Sequence, residues 1–210
     1  MDAVLETYQA KEFTLWPVAD FPPDGLLSLS GPLTPRQVGT AMAVLTDYNK
    51  GQRKRGQRCA EDPAEQMRAL VAAETVAAPG GLRVRDTATG VTASPGCCFG
   101  LENWRDWLDL TKGEEPWLGH DPTPRTEHVG TSIRLWPDEN RRTGPHIDIP
   151  RAELPELLES VRDNLVGFLG SVDRWTAALV PPLPPALTTA LMAQLDAGLA
   201  VSAPLLHGQN

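Results

Sequence analysis

Apolar residues recur at helical spacing in two stretches of the N-terminal part of the chain, and each stretch follows a sequence motif that is typical of a helix start. Thr34-Pro35-Arg36-Gln37 is a capping box with proline at the first helical position, where a missing N–H costs nothing. Asp62-Pro63 repeats this start. The pattern therefore predicts a pair of N-terminal helices, the second ending before Pro79.

The longest apolar stripe lies near the C-terminal end and predicts one long amphipathic helix. Its members are Leu154, Leu157, Leu158, Val161, Leu165, Phe168, Leu169, Val172, Trp175 and Leu179. The proline-rich run 181–185 ends this helix, and residues 186–197 predict a last one.

Between the helical parts, apolar and polar residues alternate with the period of a strand. The alternation predicts two hairpins, 82–85 with 91–93 and 131–136 with 146–149. Residues 13–16 and 26–29 are candidates for further strands. In the second hairpin, Arg134, Trp136, His146 and Asp148 should share the face opposite the isoleucines.

Helices followed by strands and then by helices are typical of an α+β fold. We expect an antiparallel sheet packed against the long C-terminal helix, with the N-terminal helix pair beside it. Residues 1–210 should form a single domain. Its parts are a mainly helical 1–80, strands and a loop-rich segment in 81–150, and the C-terminal helices in 151–200.

The charge is unevenly distributed. The net charge of −8 comes from 19 basic and 27 acidic residues, and residues 50–58 hold five of the basic ones and no acid. The other 201 residues therefore carry 14 basic against 27 acidic side chains, or −13. Such a body repels polyanions, so nucleic acid is disfavoured as the main partner and a basic protein is favoured.

The sequence also limits location and redox state. No apolar run is long enough to span a membrane, and the N-terminal residues lack the pattern of a signal peptide. Three cysteines, two of them adjacent, make no disulfide framework. We therefore expect free thiols and a cytoplasmic protein.

The loop-rich segment 94–128 combines three of the six tryptophans with seven acidic residues. Tryptophan supplies rigid contact area and carboxylates supply electrostatic complementarity, so this segment predicts a docking surface. Its candidate residues are Glu102, Asp106, Trp107, Asp109, Glu114, Glu115 and Trp117. The alternative is that the tryptophans form a small core under the loop while the acids are solvated.

Two catalytic arrangements are the alternatives. Cys97 or Cys98 could be activated at a helix N-terminus, with a base drawn from His120, His128 or His146. The simpler interpretation is a buried structural cysteine. His146 and Asp148 could form an acid–base pair on one strand face, although a solvated sheet face explains them equally well.

No metal or cofactor is predicted. The possible ligands are His120, Asp121, Glu127, His128, His146 and Asp148. Their spacing matches no zinc motif, and adjacent cysteines do not easily bind one tetrahedral ion together. Phosphate-binding glycine motifs and the G-x-S-x-G motif are missing as well.

The sequence thus favours a non-enzymatic cytosolic protein that binds a basic partner through an acidic, tryptophan-bearing surface. A bacterial immunity or inhibitor protein that neutralises a toxin is one such role. A small enzyme using Cys97 or Cys98 with a histidine, or the face of His146 and Asp148, is the first alternative. A scaffold subunit is the second.

Overall fold

The computed structural model describes residues 1–52, 62–141, 144–179 and 181–205. This part of the chain contains five α-helices and seven strands. The helices are α1 Pro35–Tyr48, α2 Pro63–Val71, α3 Asp109–Lys112, α4 Leu154–Ala178 and α5 Pro185–Gly198. The strands are β1 Asp2–Glu6, β2 Leu26–Ser28, β3 Gly80–Arg85, β4 Thr92–Ala93, β5 Arg125–Val129, β6 Ser132–Trp136 and β7 Ile147–Pro150. Two antiparallel sheets and these helices confirm the predicted α+β class.

Both predicted N-terminal helix starts are present. Thr34 Oγ1 accepts a hydrogen bond from the Gln37 backbone N–H (3.3 Å), and Gln37 Oε1 accepts one from the Thr34 N–H (2.9 Å). Asp62 Oδ1 accepts the Glu65 N–H at 2.7 Å. These caps satisfy N–H groups that the first turn of a helix leaves without partners, which explains why both helices begin where the sequence predicts.

The first sheet has the order β2-β1-β3-β4. Strand β1, which the sequence analysis did not predict, lies between β2 and β3. The residue span 26–29 is confirmed as a strand over Leu26–Ser28. The prediction of a strand at 13–16 is wrong: Trp16 instead turns inward, donates its Nε1–H to the Gly39 carbonyl (2.8 Å) and packs against Phe13.

The second sheet has the order β5-β6-β7, and its β6–β7 pair is the predicted second hairpin. Ile133 lies opposite Ile149, and both are buried. Arg134 lies opposite Asp148 on the other face, as predicted. Strand β5 was not predicted; it pairs with β6 along its whole length.

Helix α4 buries the predicted stripe. Leu158, Val161, Leu165 and Phe168 are completely inaccessible to solvent. The helix contacts α1, α5, β1 and the 3₁₀ segment Leu101–Leu108. At Gly167 it approaches the backbone of Gly31 closely. The long helix therefore packs against the first sheet, as the stripe predicted.

The 3₁₀ segment Leu101–Leu108 forms hydrogen bonds with the residues that follow α5. Trp104 is buried and donates its Nε1–H to the Leu199 carbonyl at 2.7 Å. The Arg105 guanidinium donates to the carbonyls of Ala200, Ala203 and Pro204, which follow α5. Side chains from the middle of the chain therefore hold the segment that leaves the last helix.

None of the helices in the described ranges combines the length and the hydrophobicity needed to span a bilayer.

Candidate functional site: an acidic surface beside a dithiol cleft

The structure places Trp107 in the core, so its predicted role in a docking surface is wrong. The side chain is 3% exposed, and its Nε1–H is buried without a hydrogen-bond partner among the described residues. Trp104 is fully buried as well. For these two tryptophans the alternative interpretation, a core beneath the loop, is the correct one.

Glu102 also turns away from the predicted surface. Its carboxylate accepts a hydrogen bond from the Ala78 N–H at 2.8 Å, and its burial raises the pKa of the carboxyl group above the ordinary value. Glu102 therefore belongs to a cleft, described below, rather than to an exposed rim.

Four acids and one tryptophan of the predicted set remain accessible, and we call them the acidic surface: Asp106, Asp109, Glu114, Glu115 and Trp117. The Glu114 N–H donates to the Asp109 carbonyl (3.1 Å), which holds the loop after α3 against that helix. Burial, and then the charge of Asp109, raise the pKa of Asp106. Lys112 pairs with Asp109 at 2.7 Å. This lysine balances only one of the four acids, so the surface keeps a net negative charge.

Trp117 is the most exposed large hydrophobic side chain in the described part, at 58%. Its ring centroid lies 6.5 Å from that of Phe99 and 6.4 Å from that of His120. These neighbours hold one edge of the indole while more than half of its surface faces solvent. Trp117 therefore presents a large apolar surface to solvent.

His120, the ring neighbour of Trp117, lies close to a pair of free, exposed thiols. The Sγ atoms of Cys97 and Cys98 are 3.3 Å apart. In an extended chain adjacent side chains point to opposite faces, but Cys98 has a left-handed backbone with φ of 67°. The prediction of free thiols is confirmed for these two residues, and Cys59 lies outside the described residues.

His120 is brought to the thiols by a backbone pairing. The Cys97 N–H donates to the His120 carbonyl (2.6 Å), and the His120 N–H donates to the Cys97 carbonyl (3.2 Å). The two sulfur atoms and one ring nitrogen of His120 all lie within 4.8 Å of one another. Of the three predicted partner histidines, only His120 reaches the cysteines.

The other two histidines have different surroundings. His128 lies near Arg151 and the Glu114 carbonyl, and His146 packs against Trp136. The expected activation of a thiol by a helix N-terminus is also not found. Instead, the hydrogen bond that Cys97 shares with the Cys98 thiol, and then burial, raise the pKa of Cys97.

The thiols line a small cleft of about 50 Å³ together with two carboxylates and two tyrosines. These residues are Glu6, Glu102, Tyr8 and Tyr48. Burial raises the pKa of both Glu6 and Glu102. Burial, followed by the charges of Cys98, Glu102, Cys97 and Glu6, raises the pKa of Tyr48. The cleft therefore brings two carboxyl groups and two sulfur atoms together in a small space.

In the candidate pair of His146 and Asp148, the carboxylate of Asp148 forms an ion pair with a third residue, Arg134. Arg134 donates from Nε and Nη2 to the two carboxylate oxygens of Asp148, at 2.8 and 3.0 Å. This contact lowers the pKa of Asp148. His146 Nε2 is 3.8 Å from the same carboxylate, too far for a hydrogen bond. The carboxylate is thus committed to arginine rather than to orienting a catalytic imidazole.

Most of the basic run 50–58 lies outside the described residues. Its first member, Lys50, pairs with Asp47 at the end of α1.

Comparison of this chain with protein-family models, with curated proteins and with solved structures finds no match.

Proposed function

We propose that this protein binds a basic protein partner through the acidic surface, with Trp117 as the central hydrophobic contact. The observation that carries the proposal is a tryptophan that is 58% exposed in the same short segment, residues 106–117, as four accessible carboxylates, in a chain of net charge −8. Large aromatic side chains contribute most of the binding energy at many interfaces, and surrounding charges accelerate association.

The charges of this surface suit a basic partner. Among the described residues, no lysine or arginine forms an ion pair with Glu114 or Glu115. Both carboxylates are exposed and are available to cationic side chains of another protein. A role as an inhibitor, which covers a positively charged site on a toxin, belongs to the same proposal.

The enzymatic alternatives have less support. The raised pKa of Cys97 keeps its thiol protonated at neutral pH, and a protonated thiol is a poor nucleophile. Asp148 is bound to Arg134. Cys97 is therefore not activated as a nucleophile, and Asp148 is not placed to orient His146 as a base.

The test begins with a pull-down from a cell lysate, using immobilised wild-type protein and two charge-reversal variants of equal net charge. Glu114→Lys/Glu115→Lys changes the acidic surface, while the control Glu12→Lys/Glu74→Lys changes exposed acids on other segments. A partner of the proposed kind is a basic protein that the wild type and the control retain and that the acidic-surface variant loses. Retention by all three proteins identifies a contact elsewhere on the molecule.

Association rates with the purified partner complete the test. Raising the salt concentration tenfold should slow association of the wild type, because screening removes electrostatic steering. Trp117→Ala should mainly raise the dissociation rate and weaken binding by at least about 2 kcal/mol. If charge reversal at Glu114 and Glu115 and the tenfold change in salt both leave binding unaltered, the acidic surface is not the interface.

A further inference from the structure

We propose that Cys97, Cys98 and His120 form a binding site for a thiophilic divalent metal ion, Zn²⁺ being the natural candidate. The proposal is independent of the docking function, because it rests on a different set of side chains. It reverses the expectation that adjacent cysteines do not bind one ion together.

The ligand atoms are already close to the separations that a tetrahedral zinc ion needs. Typical Zn–S and Zn–N bond lengths imply about 3.8 Å between two sulfurs and about 3.6 Å between a sulfur and a ring nitrogen. The two sulfurs lie 3.3 Å apart, and all three ligand atoms lie within 4.8 Å of one another. Side-chain rotations that move the ligand atoms by about 0.5 Å for the sulfur pair, and by at most about 1.2 Å for a sulfur and the ring nitrogen, bring them to these separations.

The backbone that carries these ligands is held firmly. Besides the paired hydrogen bonds between Cys97 and His120, the Gly96 N–H donates to the Leu118 carbonyl at 3.1 Å. A Cβ atom added at Gly96 would lie 2.6 Å from the carbonyl carbon of Gly119. The two glycines therefore let the backbones meet without side chains between them, and this contact fixes the histidine opposite the first cysteine.

The backbone of Cys98 supports the same inference. Residues other than glycine rarely adopt a positive φ, and such conformations cluster at functional sites. Here the left-handed residue is the second of two adjacent cysteines, and its thiol lies next to the first thiol instead of on the opposite face.

The chemistry of the ligands selects the ion. Two thiolates and an imidazole suit Zn²⁺, whereas Mg²⁺ and Ca²⁺ prefer oxygen ligands. His120 Nδ1 lies 3.1 Å from the Asp121 carboxylate, which leaves Nε2 for the metal and orients the ring. Three protein ligands leave the fourth position of the ion for water.

The cleft favours a cation, and the proton balance is simple. Glu6 and Glu102 line the same cleft as the two thiols. Their negative charges attract a divalent ion. On binding, the two thiols release their protons to solvent and the ion takes both sulfur electron pairs. No oxidant or reductant is needed.

Titration of the reduced protein with Co²⁺, followed by displacement with Zn²⁺, tests the site. We expect one ion per chain and the absorption of a thiolate-to-cobalt charge transfer, both of which disappear on addition of Zn²⁺. Cys97→Ser, Cys98→Ser and His120→Ala should each weaken Zn²⁺ binding by at least about 100-fold, because loss of a supporting residue alone costs about 10–100-fold.

Matched controls separate this site from other thiols and imidazoles. Cys59→Ser and His128→Ala remove the remaining cysteine and a histidine in other surroundings, and both should bind Zn²⁺ as the wild type does. Circular dichroism of every variant checks that its fold is intact. Failure of the wild type to bind either ion would overturn the proposal, as would undiminished binding by Cys97→Ser/Cys98→Ser.

Discussion

Trp107 and Trp117 occupy opposite environments, and their substitution should separate stability from binding. Trp107→Ala removes a buried indole and should lower the free energy of unfolding by about 3–5 kcal/mol. Trp117→Ala removes a side chain that is 58% exposed and should lower it by about 1 kcal/mol or less. Urea denaturation of both variants checks this. Equal losses would show that Trp117 is part of the core.

The ion pair between Arg134 and Asp148 predicts a defined dependence of stability on pH. Arg134 lowers the pKa of Asp148 in the folded protein, so the stabilisation is fully present above the ordinary pKa of an aspartate. It is lost as the pH falls through the lowered value. Asp148→Asn should therefore be less stable than the wild type at neutral pH, with a difference that vanishes in acid.

Denaturation of both proteins between neutral pH and about pH 2 measures this difference, since an ordinary aspartate titrates near pH 4. If the difference in the free energy of unfolding stayed constant in acid, its cause would be a disturbance of the sheet by the amide of the Asp148→Asn variant and not the loss of the ion pair.

The thiol–histidine cluster shows where prediction from sequence ends at the scale of residues. Cys97, Cys98 and His120 are functional candidates on the sequence alone, but their spacing does not predict a shared metal ion. That expectation applies to cysteines in an ordinary backbone, and Cys98 has a left-handed one. A residue's φ depends on the contacts around it, so residue types and their spacing do not reveal it.

At the scale of elements, two glycines in α4 should respond oppositely to the same substitution. A Cβ at Gly167 would lie 2.7 Å from the Gly31 Cα, so Gly167→Ala should destabilise the protein by about 1–3 kcal/mol. At Gly170 the nearest atom outside the helix's own backbone is at the end of the Arg174 side chain, 3.6 Å away. Gly170→Ala should therefore stabilise by about 0.5–1 kcal/mol through helix propensity.

Thermal unfolding of the two alanine variants measures both effects. A stabilised Gly167→Ala variant would show that α4 and the Gly31 loop can separate without cost.

The helices were easier to predict than the strands because their signals are local. The capping box at Thr34 and the stripe on α4 lie within their own segments. Strand β1 has Ala3, Val4 and Leu5 buried in succession, so it lacks the alternation of a half-exposed strand. In β5 only Thr126 is buried, and one polar side chain gives no periodic signal.

At the scale of the whole molecule, Arg105 connects the middle of the chain to the residues after α5. Arg105→Ala removes the hydrogen bonds to the carbonyls of Ala200, Ala203 and Pro204. We expect faster hydrogen exchange of backbone amides in residues 199–205, with little change in the two sheets.

Hydrogen exchange followed by mass spectrometry measures this effect, with Arg85→Ala, an exposed arginine of β3, as the control. Unchanged protection of residues 199–205 would mean that the apolar contacts of this segment hold it without Arg105.

The central position of β1 affects how the protein is made by a ribosome. Asp2 pairs with Arg83, and α4, which covers the strand, begins only at Leu154. At about 5–20 residues per second, synthesis of the residues between Asp2 and Leu154 takes about 8–30 s. During that time an apolar strand has left the ribosome without its main partner or its covering helix. Nascent chains of this protein should therefore engage chaperones early and fold late, after most of the sequence has been translated.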